Sequence, residues 1–169
     1  MKNTTKTIAI FMLIAAAVFA FFSLTRCSLS NKVVGDSFNL QKGQFLEMYN
    51  QKIPEQLDKF KEKDGAITAR GVELLLHTGG KQKLVDKVEL RGPYGSDSEG
   101  ETFAGYLSIL LVACDDTVKE EELKDLIEGL ELAKVKEQDQ IEASTTLNSR
   151  KYTFVLRDKQ ASLTVVPVK

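Results

Sequence analysis

The sequence predicts an α+β architecture: an N-terminal apolar helix, then one domain whose helices pack on one face of a four- or five-stranded antiparallel sheet. Three observations carry this. Residues 8–24 run for seventeen positions without a charge. Apolar residues then recur at three- and four-residue spacing around Phe45, Phe103 and Leu123, as on one face of a helix. Two further stretches alternate apolar and polar residues with period two, and each is folded back by a turn.

The apolar run is preceded by Lys2 and Lys6 and closed by Arg26. At about 1.5 Å per residue it reaches roughly 25 Å, against a hydrocarbon core of roughly 30 Å, so its length favours a spanning anchor over the shorter centre of a signal peptide. A cleaved signal is the close alternative, because Ser28-Leu29-Ser30 supplies small residues for a cut before Asn31. A lipoprotein signal is the third fate. Leu24-Thr25-Arg26-Cys27 has the leucine and the cysteine, but Arg26 fills a position that needs a small residue. The basic residues ahead of the run place the C-terminal domain outside the cytoplasm. The expected product is a single-pass protein of the cell membrane, contacting the bilayer through residues 8–24. If the signal is cleaved, it is secreted or periplasmic. Residues 1–30 are read as anchor or signal, 31–39 as a polar linker, and 40–169 as one domain.

Within that domain, Phe45, Tyr49, Ile53, Leu57 and Phe60 form one apolar stripe, interrupted by Pro54. Proline lacks the N–H and clashes one turn back, so the stripe predicts two helices, 41–50 and 54–63. Residues 66–77 read as a strand whose apolar phase changes near Arg70-Gly71, as a bulge would allow. Thr78-Gly79-Gly80-Lys81 predicts a hairpin turn. The return strand, 82–91, puts Leu84, Val88 and Leu90 on one face and Lys87, Glu89 and Arg91 on the other. One wet face argues for an antiparallel sheet. Residues 92–100 read as a loop, and 102–114 as the most buried helix. A capping box at Thr117–Glu120 opens another helix with Leu123, Leu126, Ile127 and Leu130 inward. A weak strand over 141–147 precedes a hairpin of Tyr152, Phe154 and Leu156 with 161–168, where Pro167 suggests an edge position or a strand end.

Charge excludes some partners. The chain carries 23 basic and 24 acidic side chains, and three of the basic ones but no acid fall in residues 1–27. The remainder of the chain is mildly acidic with interleaved signs, which is not the electrostatic footprint of a nucleic-acid binder. One histidine and two separated cysteines, Cys27 and Cys114, cannot build a structural zinc site.

No motif assigns a catalytic, cofactor or metal role to any residue. His77 is the only histidine and lacks a Gly-x-Ser-x-Gly elbow or a neighbouring nucleophile in sequence. The 92–101 stretch lacks the Gly-Lys-Ser/Thr ending of a phosphate loop. Asp97, Glu99 and Glu101 alternate as a calcium loop begins, but its closing bidentate acid is missing. Asp115, Asp116 and Glu120–Glu122 are acids of the kind that collect at helix starts. A core pattern runs from Phe45-Leu46-x-x-Tyr49-Asn50 through Val88-Glu89-Leu90 and Leu110, continues with Leu123-x-x-Leu126-x-x-x-Leu130-x-Leu132, and ends with Tyr152 and Leu163-x-Val165. It resembles small exported or membrane-anchored bacterial proteins of uncharacterised function. That resemblance implies export and an α+β fold, and no activity. The resulting expectation is a tethered, non-enzymatic domain that contacts a protein partner or envelope component through the open sheet face or an edge such as 161–168. The alternatives are a small hydrolase using carboxylates and His77, or an inhibitor or immunity-type protein presenting the acids of 97–101.

Overall fold

Two antiparallel meanders meet along one seam to make a single seven-stranded sheet. In the computed structural model, residues 33–168 are described, Lys136 excepted; the apolar run 8–24 and Cys27 lie outside the described residues. Among the described residues no helix is long and apolar enough to cross a membrane. The chain forms α1 (Lys42–Lys52), β1 (Lys61–Lys63), β2 (Ala66–Ala69), β3 (Val72–Gly79) and β4 (Leu84–Pro93). There follow α2 (Asp97–Cys114), α3 (Glu120–Gly129), a 3₁₀ turn (Leu132–Lys134), β5 (Ile141–Leu147), β6 (Arg150–Arg157) and β7 (Gln160–Pro167). The strand order is β1-β2-β3-β4-β7-β6-β5, every neighbour antiparallel. The helices pack on one face, as the sequence predicts, but the sheet has seven strands rather than four or five.

The extra strands come from turn chemistry. Asp64-Gly65 and Arg70-Gly71 both have positive φ at two successive residues, the geometry of a two-residue hairpin turn. The phase change near Arg70 is therefore the turn between β2 and β3, not a bulge; the ladder irregularity sits at His77/Thr78 instead. The second predicted helix, 54–63, is also absent. Pro54 favours an extended Ile53, which ends α1 at φ −77°, ψ 121°. The Asn50 side-chain amide then grips the backbone of Phe60 from both sides, donating at 2.9 Å and accepting at 2.8 Å. Ile53 and Phe60 still reach the core, but from an irregular segment that leads into β1.

The segment 161–168 is not an edge of the sheet. β7 is an interior strand between β4 and β6, and Pro167 is its last residue. The edges are β1 and β5. The predicted linker also contributes to the core, because Phe38 is fully buried and donates its N–H to Val85 O at 2.8 Å.

The first turn of α2 takes up much of the predicted 92–100 loop. Ser96 caps it by accepting the Glu99 N–H at 3.3 Å, while the Glu99 carboxylate accepts the Gly95 N–H at 3.0 Å. From Phe103 to Cys114 every residue of α2 is buried. A helix apolar on all sides needs cover on all sides, and α2 lies on β4 and β7 with α1 packed against it. Gly92 makes the closest approach possible, since a Cβ there would stand 2.8 Å from the Phe103 ring and 3.1 Å from Val72. The sheet's covered face contributes Val72, Leu74, Val88, Leu90, Phe154 and Leu163 to the same core. At roughly 1.5–3 kcal/mol for each fully buried large side chain, this layer dominates the stabilisation.

Candidate functional site: the uncovered face of the sheet

Side chains alternate across each strand, so the residues between the core positions form the opposite face. Register aligns them in rows. One row runs Leu75, Glu89, Thr164, Thr153, Ser144; the next runs Glu73, Arg91, Ser162, Val155, Glu142. Leu75, Thr153, Val155, Thr164 and Val166 are half-buried here, while His77, Arg91, Lys151 and Arg157 are exposed.

Glu89 is the exception on this face, with a side chain only 8 % exposed. Three basic groups converge on it. Arg91 Nε donates to Oε1 at 2.6 Å, Lys87 Nζ lies 3.4 Å from Oε2, and His77 Nε2 stands 4.0 Å from the same oxygen. Burial pushes the Glu89 carboxyl upward, but the Arg91 hydrogen bond and the Arg91 and Lys87 charges outweigh it. The acid is left below its ordinary pKa. The guanidinium of Arg91 is raised in turn, chiefly by its hydrogen bond to Glu89. The result is an ionic knot on β4, the middle strand of the sheet.

The residues singled out in sequence are scattered. His77 stands on the uncovered face near the β3–β4 turn, whereas Asp97 opens α2 at the other end of β4. A hydrolytic pairing of the two is not assembled. Glu99 caps α2, Glu120 and Glu121 begin α3, and the Glu122 carboxylate accepts the Lys119 N–H at 2.7 Å. No group of three or more His, Cys, Asp or Glu side chains is gathered to hold a metal among the described residues. Cys114 is fully buried, and burial raises its thiol far above the ordinary range, which suits a core hydrophobe and not a nucleophile.

Asp115 differs from its acidic neighbours by being wholly buried. Its Oδ1 accepts the Thr117 N–H at 3.0 Å and the Thr117 hydroxyl at 2.7 Å; its Oδ2 accepts Asn148 Nδ2 at 2.8 Å and faces Arg150 Nη1 at 3.2 Å. Beside it, Tyr152 is 0 % exposed, and its hydroxyl has no hydrogen-bond partner among the described residues. Burial raises its pKa strongly. This cluster sits where β5 turns into β6, next to Val33 and Val168, which line the same hollow.

Sequence reasoning placed Lys87, Glu89 and Arg91 on the wet face but did not single out Glu89. The base-acid-base alternation on one strand face was the available signal. Fold and face together define an α+β protein with three helices on one side of a seven-stranded antiparallel sheet and, on the other, a charged face that no described helix covers. Comparison with family models, curated proteins and solved structures finds no match.

Proposed function

We propose that this chain is an exported, membrane-tethered, non-enzymatic domain that binds a protein partner or envelope component through the uncovered face of its sheet. The observation that carries the reading is the composition of that face. Half-buried Leu75, Val155 and Val166 lie among threonines and charges on a rigid ladder, with the described helices on the other side. Mixed apolar and polar surfaces of this kind suit partner contact. The tether rests on the uncharged run 8–24 and the basic residues before it.

A photo-crosslinking residue placed at Thr153 or Thr164 should trap an adduct of one defined mass in cells. The same residue at Lys124, on the exposed side of α3, should not. Absence of any adduct from the two threonine positions would sink the reading. Fractionation with mass measurement of the mature chain tests the tether: a full-length membrane-bound product is expected, and a soluble chain starting at Asn31 overturns it.

A further inference from the structure

The covered side of the sheet opens into a groove of about 690 Å³ at the end where β6 turns into β7. Tyr94, Ala104, Val135 and Leu156 give it an apolar lining. Gly100 lets the Tyr94 ring lie directly on α2, because a Cβ there would stand 3.1 Å from the ring. The rim is acidic, with Asp97 and Glu101 from α2, Asp139 from the approach to β5 and Asp158 from the β6–β7 turn. Lys159 is the only base among the described lining residues. Glu101, Asp139 and Asp158 are exposed, and their carboxylates enter no ion pair or hydrogen bond among the described residues. Three such charges around one hollow give its rim a net negative character that favours a cation over an anion.

We propose that this groove binds a basic segment of a protein partner, taking a lysine or arginine whose aliphatic stem lies on the apolar lining while its charge sits among the rim carboxylates. Long basic side chains have this two-part character. A bare metal ion does not use the apolar lining, and the acids are not gathered as a metal cluster. An anion is disfavoured by the rim, even though the α2 N-terminus lies there. Val33 and Val168 lie at the Arg150 end of β6, and the groove lies at the Arg157 end, roughly 23 Å away at about 3.3 Å per residue. The first and last described residues therefore lie away from the groove. The inference stands apart from the sheet-face reading, since it uses the opposite side of the sheet.

The test titrates the full-length protein in a neutral detergent with a fluorescent Lys-Leu-Lys-Leu-Lys peptide, followed by anisotropy and amide NMR shifts. Binding should perturb Gly95, Ala104 and Leu156, weaken as salt rises, and fail for Glu-Leu-Glu-Leu-Glu. Each exposed carboxylate contributes modestly, so Glu101→Gln, Asp139→Asn and Asp158→Asn combined should weaken binding about tenfold. Their exposure predicts an unchanged urea midpoint, which separates lost binding from lost folding. Thr153→Arg on the uncovered face should leave peptide affinity unaltered, so failure of either proposal is visible without the other. The inference is overturned by no peptide binding, by equal affinity for the triple variant or the glutamate peptide, or by calcium chloride binding the groove more tightly than the peptide.

Discussion

Arg150 Nη1 lies 3.2 Å from Asp115 Oδ2, and both side chains are sealed from solvent. The pair joins the C-terminal cap of α2 to the first residue of β6. Thr117 and Asn148 supply the other donors, so every acceptor position of the carboxylate is engaged. A buried carboxylate satisfied in this way ties the end of α2, the turn that follows it and the β5–β6 turn into one corner.

Removing one partner of that pair should be expensive, because the other charge stays buried without compensation. Arg150→Met is expected to destabilise the protein by about 3–5 kcal/mol in urea unfolding. Adding Asp115→Ala should cost much less than a second increment of that size, since the uncompensated charge is then gone. A cost for Arg150→Met below about 1 kcal/mol would show that the corner does not depend on the pair.

The neighbouring Tyr152 hydroxyl predicts the opposite sign. It is buried without a hydrogen-bond partner among the described residues, so folding strips its water and returns nothing. Tyr152→Phe keeps the ring and deletes the cost, and should stabilise by about 1 kcal/mol. Destabilisation on the same measurement would mean that an ordered water serves the hydroxyl.

These two residues also mark what a sequence can disclose. Tyr152, Phe154 and Leu156 announce a strand through their alternation, and α1, α2 and α3 announce themselves through apolar stripes that only a covered face explains. The Asp115 contact with Arg150 had no such signature, because it joins segments far apart in the chain and looks locally like one more acid near a helix start. The 53–60 stripe misled for a related reason. Inward-facing residues at helical spacing also fit an irregular segment when Asn50 clamps Phe60, and nothing in the spacing reports that clamp. The groove was equally hidden, being assembled from α2, the approach to β5 and the β6–β7 turn.

The β5–β6 turn should be improvable. Asn148 and Ser149 have φ of 48° and 60°, the left-handed pair that a two-residue hairpin turn requires. Asparagine tolerates that region, but serine carries a Cβ penalty there that Gly65 and Gly71 avoid in the earlier turns. The Ser149 carbonyl accepts the Val168 N–H at 2.8 Å through backbone alone, so a glycine keeps the bond. Ser149→Gly should raise stability by about 0.5–1 kcal/mol after the added unfolded-state entropy is counted. A lower urea midpoint would count against this account of the turn.

Glu89 yields a pH dependence whose sign is set by its neighbours. Arg91 and Lys87 hold the folded-state carboxyl below its ordinary value despite burial, so its stabilising contribution is present above the unfolded pKa of about 4.3. That contribution fades as pH falls through the folded value. Both cations are partly exposed, so screening limits the effect, and Glu89→Gln should cost about 1 kcal/mol near neutral pH. The gap between wild type and variant should close in acid, where both carry a neutral side chain, and narrow as salt rises. A gap of constant size from neutral pH into acid would locate the cost in altered packing. In that event the ionic knot on the uncovered face would contribute no charge-dependent stability, and the platform would owe its rigidity to the strand ladder alone.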